Sequence, residues 1–345
     1  YLMGLANPDL QWQKTQDNNI GVDITLMDAL DVTFDCYIKK TQNLLTPVSL
    51  PPSAGFRSYT ENLGETKNKG VEFKVNYRIV RDAERDLYFS VFTSGMHNKN
   101  RITKISDALS LMNKDRDADK TGGGGGNPNL EENSAITKPS VRYAEGQSMD
   151  AIWAVRSLGI DPATGKEVFL TKNGTPTFDY NADDRVKIAD TNPKIRGVFG
   201  ISFTYKNLQA SVNLRYNLGS FAFNSALFNK VENISASNIA YNQDKRALYS
   251  RWQNAGDVSQ FKGISLTTQT PISSRFVQRD NYLRGESARI SWDFSRDEWI
   301  KRLFLKDLRF NVSFNDFFDL SEMKRERGTD YPFQRAISFG LSARF

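Results

Sequence analysis

A single cysteine and a single histidine in 345 residues remove two chemistries at once. Cys36 has no partner for an internal disulfide, and His97 alone leaves little for a metal centre or a nucleophilic triad. No run approaches the roughly 20 apolar residues that a membrane-spanning helix needs, in keeping with a mean hydropathy of −0.53. That excludes spanning helices, not membranes, because in a β-barrel only every second side chain meets lipid and the average looks polar. No shift in composition divides the chain into domains. The opening Tyr1-Leu2-Met3-Gly4 carries no basic leader and no cleavage site, so the chain either stays in the cytoplasm or is an internal piece of something longer. The net charge of +6 is spread over strands and loops rather than gathered into a patch, so no nucleic-acid partner is expected.

What the chain has is strand chemistry, with 23 Phe and 13 Tyr among many Asn, Ser and Thr. Between Leu208 and Leu218 every even residue is apolar (Leu208, Ala210, Val212, Leu214, Tyr216, Leu218) and every odd one is polar (Gln209, Ser211, Asn213, Arg215, Asn217). Side chains alternate across a strand, so this segment separates an apolar surface from a wet one. The same alternation predicts eight more strands: 20–27, 30–39, 71–79, 87–95 in a blurrier form, 195–206, 286–294, 307–315 and 337–345. Cys36 falls on an apolar face, as a small hydrophobe rather than a nucleophile.

The links between these strands alternate in length. Those near Asp28 and Ala29, from Val80 to Asp86, at Lys206-Asn207 and from Ser295 to Lys306 are short; all the others are long. A soluble sandwich mixes connection lengths at both ends, whereas an outer-membrane barrel puts short turns in the periplasm and long loops outside. The fold class expected is therefore all-β, a transmembrane antiparallel β-barrel. Tyr205, Tyr216, Trp292 and the terminal Phe345 are expected to face the membrane as its aromatic girdle, with Tyr77 and Phe294 beside them. Nine strands with two open edges would leave backbone groups unpaired in hydrocarbon, so the chain is expected to be the C-terminal part of a larger barrel.

The loops carry a family resemblance. Asn7-Pro8-Asp9-Leu10-Gln11-Trp12, Asn68-Lys69-Gly70-Val71-Glu72, Ile160-Asp161-Pro162-Ala163-Thr164-Gly165, Asp190-Thr191-Asn192-Pro193, Arg251-Trp252, Ser274-Arg275-Phe276-Val277 and Glu326-Arg327-Gly328-Thr329-Asp330-Tyr331 follow one another in the order and spacing of the SusC/RagA family of TonB-dependent outer-membrane transporters of Bacteroidetes. The chain resembles that family along its whole length, without its plug domain, TonB box and early strands. The resemblance implies a barrel of about 22 strands, of which these are the last nine. It also implies a cell outer-membrane location, import of oligosaccharides or peptides, a SusD-like lid lipoprotein and energy from the TonB complex.

Other motifs read more plainly from the residues. Asp161-Pro162-Ala163-Thr164-Gly165-Lys166 lacks the spacing of a phosphate loop and reads as a tight turn between extended pieces at 151–158 and 167–170. Gly122 to Gly126 is a flexible stretch without the strand and helix of a nucleotide fingerprint. Asp179, Asn181, Asp183 and Asp184 lack the pattern of a calcium loop. His97 is expected at a rim where a strand enters a loop. No cofactor, metal site or catalytic constellation is expected. Candidate ligand contacts are Phe56, Tyr59, Trp153, Arg156, Tyr241 and Trp252, since rings stack on sugars and Arg fixes hydroxyls or carbonyls. The competing role for each is packing, because loops this long need hydrophobic cores of their own. An adhesin or structural barrel that binds without transporting is the alternative function, and an outer-membrane hydrolase a more distant one.

Overall fold

The computed structural model describes residues 7–49, 58–62, 64–106, 110, 113, 142–234, 236, 239–241, 243–265, 268–302, 304–324 and 335–344. Phe56, Phe345 and the Gly122–Gly126 stretch lie outside them. In chain order the strands are β1 (Lys14–Leu26) and β2 (Leu30–Gln42); a hairpin of β3 (Leu45–Ser49) and β4 (Ser58–Asn62); β5 (Gly64–Asp82) and β6 (Leu87–Ile105). Then come β7 (Ala151–Ile160), β8 (Glu167–Leu170), β9 (Pro176–Thr177) and β10 (Arg185–Asp190); β11 (Ile195–Tyr205) and β12 (Leu208–Leu218) follow. The last five are β13 (Phe221–Phe223), β14 (Val277–Arg279), β15 (Tyr282–Asp293), β16 (Asp307–Ser321) and β17 (Ala336–Arg344).

One antiparallel sheet takes nine of them in the order β1-β2-β5-β6-β11-β12-β15-β16-β17. These are the nine segments that alternation predicts. Directly opposed residues share a face, so the pairing register assigns every side chain to one side. The apolar row near the short turns runs Leu87, Tyr205, Leu208, Trp292, Phe310, Leu341 across five adjacent strand pairs. On the other side the matching row reads Ser90, Ser202, Ser211, Arg289, Ser313, Ser338. The same separation holds in β1, β2 and β5, where Val22, Phe34 and Phe73 lie in line against Gly21, Asp35 and Glu72. Ile20, Phe34, Ile290, Phe339 and Leu341 are exposed, so none of the described residues covers the apolar side there.

The strands are longer than their alternating cores. β1, β5 and β6 extend beyond them at the long-loop end, over stretches such as Lys67-Asn68-Lys69 and Asn98-Lys99-Asn100-Arg101 that are polar on both faces. Alternation fails there because neither side meets oil. His97 accordingly sits within β6 and not at its end, on the outer face where the apolar rows stop, with Nδ1 2.5 Å from the Lys194 carbonyl.

Four irregularities break the phase elsewhere in the nine-stranded sheet. Asn213 faces Ser287 and Leu214 faces Gly285, so Glu286 is extra, and the outer row passes from even to odd numbers there. That shift hides the start of β15 from the alternation template. Asp316, with φ of 50°, marks a second irregularity at the point where the predicted strand stops. The other two lie in β5, between Arg78 and Val80 and between Glu65 and Thr66. β6 reads as blurred because Phe92 stands on the polar side, where it fills the space over Gly200: a Cβ there would lie 2.1 Å from its ring.

Tyr216 lies on the outer row but does not project from it. Its ring spans Gly197 and Gly95, where any Cβ would clash, and its hydroxyl donates to the Ser94 carbonyl at 2.9 Å. Tyr205 and Trp292 stand more open at the short-turn end.

The two-faced sheet makes a direct prediction. Val212→Arg, on the outer row at mid-strand, is expected to cost about 2–4 kcal/mol of folding stability in a bilayer, whereas Ser202→Arg on the polar side costs less than half as much. Urea titration of the protein in lipid vesicles measures both.

Candidate functional site

The polar side is the hollow one. Three depressions open on it: one at Asp35, Glu72, Lys74, Arg196 and Arg215; a second at Arg289, Asp307, Arg309 and Asn311; a third at Asp31, Arg78 and Arg81. Cross-strand ion pairs tie this surface together, with Arg78 to Asp31 at 2.5 Å, Arg284 to Asp319 at 3.0 Å, Arg309 to Asp293 at 2.9 Å, and Arg215 against the bulged Glu286. Solvated pairs of this kind contribute about 0–1 kcal/mol each. Their effect is to hold charged hydrogen-bonding groups of both signs on a surface that a polar solute could cross.

At the long-loop end two loops fold together. β7 to β10 form a four-stranded sheet, and described residues between 227 and 276 pack against its β7 residue Ala154. The shared core holds Ala154, Leu227, Phe228, Val231, Ile234, Ala247, Phe261, Ile272 and Phe276. Phe228 and Phe276 meet edge to face at 4.9 Å between centroids. Full burial of side chains of this size stabilises by about 1.5–3 kcal/mol apiece.

Within this cap lies an ionic clamp. Arg275 donates to Glu232 at 2.8 Å and to Glu167 of β8 at 2.9 Å, with both carboxylates almost fully buried. Thr270 donates to Glu232 at 2.9 Å and Ser273 donates to Glu167 at 2.5 Å, so each carboxylate has a second donor. Burial works against the charge on Arg275, but the hydrogen bonds and charges of Glu232 and Glu167 outweigh it and its pKa rises. Arg251 spends its guanidinium on backbone, donating to the carbonyls of Ala247 at 2.5 Å, Glu232 at 2.8 Å, Lys262 at 3.1 Å and Val231. Burial lowers its pKa, against the pull of Glu232. Lys262 beside them is also pulled down, first by burial.

The predicted contact residues are distributed over the cap and its neighbours. The Trp252 indole donates to the Pro162 carbonyl at 2.8 Å and lies flat on Gly165, whose φ of 67° and closeness to the ring both require glycine. That pins the Asp161–Gly165 turn, which closes through Asp161 N–H to the Lys166 carbonyl at 2.8 Å and joins β7 to β8 as expected. Arg156 donates to the carbonyls of Thr171 and Lys172 at 2.7 and 3.1 Å. Trp153 has Arg142 over its ring at 5.8 Å. The Tyr59 hydroxyl donates to Glu61 on the separate β3–β4 hairpin. Tyr241 stands 73% exposed. Asp183 and Asp184 are used locally: Asp183 N–H donates to Asn181 at 2.9 Å, and Asp184 accepts from the Lys172 N–H at 2.8 Å. Sequence reasoning missed Glu167, Glu232, Arg251 and Arg275 as a unit. The one available signal was that Arg251-Trp252 and Ser274-Arg275-Phe276-Val277 are among the segments carrying the family resemblance.

Residues 2–217 match the family model described as TonB dependent receptor-like, beta-barrel. The chain belongs to the TonB-dependent receptor-like β-barrel family. Its place is the outer membrane, and the family is one of receptors, not enzymes. It is 24% identical to TonB-dependent receptor P39 of Formosa agariphila over 99% of this chain and 36% of that protein. It is 25% identical to TonB-dependent receptor SusC of Bacteroides thetaiotaomicron, over 98% of this chain and 32% of that one. Among solved structures, the RagAB peptide transporter superposes with a TM-score of 0.70 at 19% identity, covering 93% of this chain and 33% of the other. The chain thus spans about a third of the length of the curated relatives.

The clamp and Lys262 give two predictions. Arg275→Gln leaves two buried carboxylates without their cation, an expected loss of about 3–5 kcal/mol. Proteinase digestion of the folded receptor is expected to cut within residues 219–281 in this variant while the barrel strands stay protected. For Lys262 the folded cap disfavours the charged amine, so the cap is least stable where the lysine is fully protonated and gains stability as pH rises toward its ordinary value of 10.5. Lys262→Met is expected to raise cap stability at neutral pH and to abolish that rise, as read by the pH dependence of proteolysis.

Proposed function

We propose that these nine strands are an arc of a larger closed barrel that imports an oligosaccharide or a peptide across the outer membrane, driven by the TonB complex and covered by a SusD-like lipoprotein. The observation that carries this reading is the hollow polar face, which continues over nine strands and ends at a folded cap on one side only. β1 and β17 each have one neighbour among the described residues, and backbone groups at an open edge have no partners in hydrocarbon, which favours further strands. The likeness to a receptor named SusC and to a peptide transporter supports import. The cap supports a lid, since a preformed rigid surface reduces the entropy cost of docking a partner.

Of the described loop candidates, Tyr241 offers the most open ring, and Trp153, Arg156, Tyr59, Trp252 and Phe56 complete the proposed contact set.

Uptake of labelled oligosaccharide and labelled peptide pools by cells carrying the complete receptor, with and without TonB, tests the proposal. Entry of one pool that disappears without TonB is the expected result. Surface retention without entry overturns it in favour of an adhesin. Tyr241→Ala is expected to weaken binding about three- to tenfold, the worth of one stacked ring, in calorimetric titration with the transported pool, while leaving protease resistance of the cap unchanged.

A further inference from the structure

On the outer face, immediately beyond the apolar rows at the capped end, the register places cations side by side. Cys36, Val71 and His97 form the last largely apolar row. The next is Ile38, Lys69, Lys99, and the one beyond it Lys40, Lys67, Arg101. Lys40, Lys69, Lys99 and Arg101 are exposed, and Lys67 is half-buried. With strands about 4.8 Å apart and successive same-face residues about 7 Å apart, the five charges occupy a grid of about 10 by 7 Å.

Like charges directly opposite one another on neighbouring strands are destabilising. The described acidic partner is Glu65, 3.4 Å from Lys40, which leaves the grid strongly positive. Across β1 its neighbours are the neutral Gln16 and Asn18. The exposure of these side chains shows that the described residues of the cap do not cover this patch: loop residues meet β6 along its backbone edge and on the polar face, and on the outer face the Lys194 carbonyl reaches His97, one row short of the cations. Asn192 donates to the Asn98 carbonyl at 2.6 Å, Ser148 donates to Asn100 at 2.8 Å, and the Ile102 N–H donates to Gln147 at 2.9 Å. The bare side is thus the one that continues the lipid-facing surface.

We propose that Lys40, Lys67, Lys69, Lys99 and Arg101 form a binding site for the phosphates of an outer-leaflet glycolipid. The height is that of a headgroup, one row above the hydrocarbon boundary, and ammonium and guanidinium groups bind phosphate oxygens through charge-assisted hydrogen bonds. A grid this wide engages a phosphorylated sugar headgroup at more than one point. The site holds the receptor in its leaflet and relieves the repulsion built into the β2-β5-β6 register. It rests on the outer-membrane assignment and the outward direction of the cap, and is independent of what the barrel imports.

The test uses the complete receptor purified in mild detergent and incubated with bisphosphorylated lipid A, its dephosphorylated form, or phosphatidylglycerol, with retained lipid counted by native mass spectrometry. Bisphosphorylated lipid A is expected to be retained at least tenfold over the other two, and the K67Q/K69Q/K99Q/R101Q variant to lose that preference. The K67R/K69R/K99R variant, which keeps the charge, is expected to retain it, which separates lost binding from lost folding. Lys166→Gln with Lys172→Gln, in exposed turns of the cap, serves as the control for net charge. Equal retention of the dephosphorylated lipid or of phosphatidylglycerol, unchanged retention by the glutamine variant, or loss in the Lys166/Lys172 control would each overturn the proposal.

Discussion

The pairing register is the constraint on which everything else depends. Because opposed residues share a face, a single slip in one strand would turn Leu208 to the wet side and Arg215 to the oily one. Nine strands keep their two faces distinct, and at Glu286 and near Asp316, two of the places where the phase changes, the shift is absorbed in the bulged pairing of β15 with its neighbours. Hydrocarbon on one side enforces this more strictly than a protein core does, since lipid has no hydrogen bonds to offer a misplaced polar group.

The membrane-embedded part of the fold was legible because that constraint leaves a period of two in the residues. The nine strands follow from it, and with them the alternation of short and long links between them. The strand extensions were not legible. Lys67 to Gly70 and Asn98 to Arg101 form ladder hydrogen bonds as regular as any other, but with water on both faces nothing in their side chains records it. Bulges hide in the same way: Glu286 pairs well with Arg215 in space, yet in sequence it only interrupts a pattern.

The cap was least legible. Its core joins residues such as Ala154 and Phe276 that no local period relates, and its charged members look like any solvated loop residues until Glu232 and Glu167 are seen to converge on Arg275. The aromatic residues singled out for ligand contact divide along the same line. Trp252 and Arg156 hold turns in place through backbone carbonyls, a role that composition cannot separate from recognition, while the openness of Tyr241 depends entirely on how the loop around it folds.

The clamp also acts as a cross-link. Arg275 and Glu167 are 108 residues apart, and between them the chain passes down and back through the sheet as β11 and β12. The contact makes the two loops at the open end of that hairpin one unit, so that neither can shift without the other. A movement begun in one loop is therefore shared by the loop beyond the hairpin, although the two belong to different stretches of the chain.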